Sequence, residues 1–309
     1  MKNKSKKLLI VLLAVFLLTG CATQLKNNDN KTVTNPKTGQ TLTKNILCQP
    51  EDEETRALYY SFAEKNELNI DELPKCENFS PTDGGYDGVW SSLIVKPLAW
   101  LIIFLGNFVK NYGFGLILTS LLIRLAAFPL TRKTAMQSEL MREAKPELDK
   151  LEKKYEGKTD RDSMMKKSNE MAMIYKKYQI NPVAGCLFAL IQIPLFIGFL
   201  EAINRVPAIF EETFAGFQLG TTPLTGLQNG NFIYIILTII VGLSTFFSLR
   251  MNSAANPDND QMKTMNRVMF FMILITSIFM TSALNIYWVT TNLFTVVQNI
   301  LVKRQKERA

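Results

Sequence analysis

The sequence contains no histidine. Ser-His-Asp triads, Cys-His nucleophile pairs and HExxH zinc sites all need one, so most familiar hydrolase chemistry is excluded at the outset. No GxxxxGK[ST] phosphate loop occurs either, which argues against a nucleotide-driven enzyme. Cysteine is scarce: Cys21, Cys48, Cys76 and Cys186 are the four, and they lack metal-ligand spacing. The chain therefore reads as a protein that is not an enzyme, with no catalytic residue, no metal and no cofactor.

Charge is also absent, over long stretches. Lys and Arg outnumber Asp and Glu by 35 to 27, but the charges are not spread evenly. Apolar residues gather in runs of roughly 17 to 25, the length a helix needs to cross about 30 Å of hydrocarbon. Segments dense in Lys, Glu and Asp separate these runs. The alternation implies an all-α polytopic membrane protein, whose positive charge belongs to its loops rather than to a nucleic-acid site.

Residues 1–20 read as a lipoprotein signal peptide. Lys2, Lys4, Lys6 and Lys7 precede the apolar core LLIVLLAVFLL, and LTGC then ends at Cys21 like a bacterial lipobox. In that reading Cys21 carries the lipid (the lipoprotein, palmitate type of anchor) and residues 21–90 are an extracellular, lipid-tethered linker. A short helix is expected in TRALYYSFAEKNEL. Cys48 and Cys76 are either a disulfide or two unpaired thiols. The following stretch, SSLIVKPLAWLIIFLGNFVKNYGFG, is interrupted by Lys96, Pro97 and Lys110 and carries Trp100, with Trp90 just before it. That mixture suits an amphipathic helix lying in the interface.

Five spans are expected, at about 112–131, 183–203, 231–250, 267–283 and 284–303. Between the first two lies a charged segment, about 132–180, with Leu140, Ala144, Leu148, Leu151 and Tyr155 at helical spacing. A weaker stripe, Met164, Ser168, Met171, Tyr175 and Tyr178, follows the turn EGKTDRD, so a helical hairpin is expected. Asn181 and Pro182 suit the start of the next helix, cap and first position. Lys and Arg are in excess in the hairpin, around Arg250, Lys263 and Arg267, and in the tail at 304–309. The loop after the second span has Glu201, Glu211 and Glu212 against Arg205. The positive-inside rule then puts hairpin and tail in the cytoplasm and the N-terminus outside.

Arg124 stands in the run LTSLLIRLAAFPL, where a charge costs about 2.5 kcal/mol or more. Its head could snorkel to the interface. The other spans also carry polar groups: Gln192; Thr238, Thr245 and Ser248; Ser277 and Thr281; and, on one face of the last, Trp288, Thr291, Thr295 and Gln298, with Asn292 and Asn299 beside them. These are either interhelical glue or the lining of a shared wet groove, and no acid stands in the same runs to neutralise Arg124. Methionines at 262, 265, 269 and 272, with others in the hairpin, offer either ordinary packing or adaptable apolar surfaces.

YGFGLILTSLLIRLAAFPLTRKTAMQSELMREAKPELDKLEKKY, INPVAGCLFALIQIPLFIGFL and LNIYWVTTNLFTVVQNILVKR, in this order and spacing, resemble the YidC/Oxa/Alb family of membrane-protein insertases, in its Gram-positive lipoprotein form. The resemblance implies an insertase core over 91–303, with five helices around a hydrophilic groove open to the cytoplasm and to lipid. It also implies Arg124 as the groove's central charge and Gln192 and Trp288 as groove-facing, beside Thr291 and Thr295. The implied partners are nascent membrane-protein substrates, the lipid bilayer, the Sec translocon and, through the hairpin and a short tail (Lys303 to Arg308), the ribosome. A small secondary transporter or channel, or a dedicated assembly factor for one membrane complex, are the rival functions.

Overall fold

A computed structural model describes residues 22–181, 184–252 and 260–308; the signal segment, Cys21 and Pro182 lie outside them. The architecture is helical. In chain order the main elements are α1 (Glu53–Phe62), α2 (Gly88–Val109), α3 (Tyr112–Ala126), α4 (Phe128–Lys154), α5 (Arg161–Lys177), α6 (Ala184–Arg205), α7 (Pro207–Glu211), α8 (Pro223–Gln228), α9 (Ile233–Asn252), α10 (Asp260–Phe279) and α11 (Ser282–Glu307). Among the described residues the strands are limited to a two-residue pair, Thr213–Phe214 with Phe217–Gln218.

The chain divides into two compact units. One comprises the chain up to Ser120, Ile193–Thr238 and Ser277–Tyr287; the other comprises Leu121–Gln192, Ile239–Thr276 and Trp288–Ala309.

In the first unit, the segment expected to be a linker has a core of its own. Leu25, Val33, Leu42, Ile46, Tyr59 and Ile70 bury against Phe210 of α7. The turns that make this possible are polar: the Asn35 side chain accepts from the amides of Lys37 and Thr38, closing the chain on itself before Gln40. α1 starts where Asp52 accepts from the Thr55 amide at 2.8 Å, with Glu53 and Glu54 favourably placed in its first turn. A disulfide joins Cys48 to Cys76. Its neighbourhood is further fastened to the end of α6, where Leu47 donates to the Arg205 carbonyl and Arg205 Nε donates to the Asn45 carbonyl.

α2 contains a π turn at Ser91–Val95. It buries Trp90, Val95, Leu98, Ala99, Ile102 and Ile103 and exposes Leu93, Trp100, Phe104 and Phe108. By length and composition it could cross a membrane, as could Ile233–Met251. The expected interfacial helix is thus longer and more continuous than its lysines suggested. Lys96 explains part of the difference: it is buried, and its ammonium donates to the carbonyls of Asp83 and Gly85 at 2.7 Å each. α2 and α3 meet at two glycines. A Cβ on Gly115 would sit 2.5 Å from the Ile102 carbonyl and 2.8 Å from the Gly106 Cα, so only hydrogen permits this approach.

α6 runs to Arg205, which corrects the placing of Glu201 in a loop. Glu201 is inside the helix, 3 % exposed, and accepts from the Trp90 indole at 3.0 Å. One turn on, Arg205 donates to the Ser91 hydroxyl and to Asp87, at 2.6 and 2.9 Å. Burial alone would raise the Asp87 carboxyl, but Ser91 and Arg205 outweigh it and hold it below the ordinary range.

In the second unit, α3 ends at Ala126 and α4 begins at Phe128 after a 71° bend, so the first apolar run stops about a turn earlier than expected. α4 and α5 form the hairpin, and Gly157 takes φ +74° in its turn. Ala144 and Leu148 bury with Ile180, and Leu140, Met171, Tyr175 and Tyr178 pack on them. Met164, Met165 and Met173 remain exposed.

The long helices α9, α10 and α11 invert the usual soluble pattern. Ile239, Leu243, Phe247, Phe271, Ile275, Leu293 and Val297 are exposed, while Thr245, Ser248, Ser277, Thr291, Thr295 and Gln298 are buried. An apolar outside with hydroxyls and amides inside is stable only where the surrounding medium is lipid. Met269 and Met272 belong to that exposed apolar face; the side chains of Met262 and Met265 lie outside the described residues.

Candidate functional site

Five residues were singled out by sequence for the groove, and all belong to the second unit. Arg124 is in the last turn of α3, two residues before the helix ends. From sequence, Arg124 either snorkels to the interface or faces a shared wet groove. In the structure Arg124 is 6 % exposed, and its Nη2 donates to Gln192 Oε1 at 2.6 Å. Gln192 reaches it from α6, two residues before Pro194, whose ring removes the amide that would bond one turn back. A short bond from a charged donor to a neutral amide in a water-poor setting is worth about 1.5–3 kcal/mol, enough to hold the guanidinium in place.

Trp288, Thr291 and Thr295 line up on α11 because successive residues three and four apart share a face. Trp288 is half-buried, whereas Thr291 and Thr295 are buried at 2 % and 7 %. Both threonines bond back into their own helix, Thr291 to the Trp288 carbonyl at 3.1 Å and Thr295 to the Thr291 carbonyl at 2.8 Å. Their hydroxyls thereby donate within their own helix. The contacts between helices come from residues beside them. Asn292 donates to Thr245 at 3.0 Å and to Ser244 at 3.4 Å on α9, and Thr131 at the start of α4 donates to Gln298 at 3.2 Å.

The described site residues thus include a seam of hydrogen-bonded polar pairs within the second unit, with the Arg124 guanidinium held by Gln192. Ser244 escaped the sequence reading because its periodicity is that of any apolar helix; only its partner, Asn292, marks it out. Among the described residues no cluster of His, Cys, Asp and Glu could hold a metal.

Comparison with known proteins gives this seam a family. The model of the 60Kd inner membrane protein family matches residues 104–309. Membrane protein insertase MisCA of Bacillus subtilis is 38 % identical over 216 residues, covering 69 % of this chain and 79 % of its own. Membrane protein insertase YidC of Oceanobacillus iheyensis is 34 % identical over 232 residues, covering 72 % and 87 %. Among solved structures, an active YidC insertase crystal structure with the first transmembrane domain resolved superposes with a TM-score of 0.52 at 20 % identity. That match covers 80 % of this chain but 53 % of the longer solved chain, so it speaks for the fold alone. With the fold, the relatives and the family model in agreement, the chain belongs to the 60Kd inner membrane protein family, that of the YidC membrane protein insertases.

Proposed function

We propose that this family member inserts and helps fold integral membrane proteins by offering Arg124 as an exchangeable partner to an incoming chain, alone or beside the Sec translocon. The observation that carries the reading is the Arg124–Gln192 contact. Gln192 is a neutral acceptor, whereas a carboxylate adds charge–charge attraction and can accept two guanidinium N–H groups in a bidentate pair. An acidic residue in the translocated part of a client therefore displaces the Gln192 oxygen, and the gain grows in a low-dielectric setting. Gln192 keeps the charge satisfied between clients. The client's apolar helix meanwhile moves into lipid, and its burial drives the reaction without nucleotide. Trp288, half-buried on α11, meets the passing segment, with Thr291 and Thr295 buried on the same helix face.

In this reading α3, α6, α9, α10 and α11 are the five spans, with the N-terminus outside, tethered through a lipid on Cys21, and with hairpin and tail in the cytoplasm. The basic excess of the hairpin supports that orientation. Ribosome contact, if made through the tail, involves few residues.

Insertion of radiolabelled clients into proteoliposomes tests the role of Arg124. Arg124→Ala should lose about tenfold or more with a client whose translocated segment is acidic, and little with a neutral one, in line with a buried charged hydrogen bond. Arg124→Lys should fall between. Equal yields from all three proteins would return Arg124 to a merely structural role. A photocrosslinker at Gln192 or Trp288 should capture a stalled nascent chain.

A further inference from the structure

The last helix does not end in a free basic tail. α11 continues to Glu307, and its final turns lie along the first arm of the hairpin through three contacts. Thr131 donates to Gln298 at 3.2 Å, Arg132 Nη2 donates to Gln305 Oε1 at 2.8 Å, and the Lys306 ammonium pairs with Glu143 at 2.6 Å. Numbers rise together on both helices, from 131 to 143 and from 298 to 306, so the two run side by side in the same direction. They do so immediately after the 71° bend between Ala126 and Phe128. The single Thr131 hydroxyl proton is shared among three acceptors within 3.2–3.3 Å, the Gln298 amide oxygen and the carbonyls of Ala127 and Phe128.

We propose that Glu143, Lys306, Arg132 and Gln305 are positioning residues for insertion: they dock the hairpin on α11 and so set its angle relative to Arg124, one turn before the bend. The inference rests on the insertase reading and adds a role to the tail other than ribosome contact. The seam is graded. Thr131–Gln298 is buried at its root, while Glu143–Lys306 at the far end is exposed on the glutamate side. A pair half open to solvent in this way shifts an equilibrium by only about two- to fivefold. A contact of that strength allows the hairpin to release when a client or partner competes for it, and to redock afterwards.

The test uses the full chain in nanodiscs with spin labels on Lys158→Cys at the hairpin tip and Leu301→Cys on α11, in a Cys186→Ala background. Pulsed electron resonance should give one narrow distance for the wild-type seam. Glu143→Lys should broaden it, shift the docked-to-released ratio by about two- to fivefold, and lower insertion of an acidic client to a similar degree. The double reversal Glu143→Lys with Lys306→Glu should restore both readouts, which loss of folding could not do. Arg132→Ala, which removes the neighbouring contact without reversing charge, should broaden the distance in the same way. The idea fails if Glu143→Lys leaves distance and insertion unchanged, or if the double reversal does not recover them. It also fails if a chain ending at residue 303 keeps the narrow distance and loses only ribosome co-sedimentation. Loss of insertion in Arg124→Ala with an intact seam would concern the insertase site alone, so the two failures are separable.

Discussion

The buried carboxylate of Glu211 makes the first unit sensitive to pH, and the size of the effect follows from its surroundings. Glu211 ends α7, and its Oε2 accepts from the amides of Glu51 and Asp52 at 3.0 and 3.1 Å, tying the start of α1 to the segment after α6. Its Oε1 is buried with no hydrogen-bond partner among the described residues. Burial raises the carboxyl, the two amides lower it, and the nearby charges of Asp52 and Glu51 raise it again; the result is about 7, from an ordinary 4.5. The folded state therefore binds a proton more tightly than the unfolded chain does. For an acid raised in this way, stability is undiminished below pH 4.5 and declines as pH climbs toward 7, because the folded state must then hold a charge it disfavours. At 1.36 kcal/mol per pH unit the full loss is about 3 kcal/mol. Local opening is the appropriate observable, since a membrane protein of this kind does not unfold in one step. Amide hydrogen exchange of the full chain in nanodiscs, corrected for intrinsic rates, should show protection at residues 47–55 falling up to about a hundredfold between pH 5 and 8. Glu211→Gln keeps an acceptor for both amides and removes the charge, so its protection should be nearly flat and higher than wild type at pH 8. Equal pH slopes in the two proteins would refute the argument.

Two other outcomes follow from the same structure. Gln192→Glu gives Arg124 a permanent carboxylate, so insertion of acidic clients should fall severalfold while the protein melts at the same or a higher temperature; unchanged insertion would mean Gln192 is not displaced. Replacing Cys48 and Cys76 by serine opens a loop of 28 residues, a loss of roughly 3–4 kcal/mol in the chain-entropy model, and should make the segment before α2 susceptible to limited proteolysis.

Sequence reading and structure part company at identifiable residues. Apolar runs made the long helices legible because spanning length is set by bilayer thickness, not by contacts elsewhere in the chain. The hairpin was legible from Ala144, Leu148 and Tyr175, whose spacing matches the face they bury. Residues 22 to about 80 were not legible as a folded piece. Their core is closed by Phe210, more than a hundred residues away, and a pattern confined to one segment cannot contain its partner. Glu201 was misplaced for a similar reason: a carboxylate near a run's end looks like a loop residue until the Trp90 indole is seen beside it.

For the site itself, sequence determined which side chains were anomalous. An arginine, a glutamine and a row of hydroxyls among apolar residues demand partners wherever they end up, because unsatisfied polar groups are costly in lipid. Tertiary structure alone decided what the partners are. It brought Gln192 to Arg124 across 68 positions and Gln298 to Thr131 across 167, and it returned Thr291 and Thr295 to their own helix. Helical periodicity fixes which face a residue occupies, but the neighbour on that face is chosen by how helices pack, and that is a property of the whole chain.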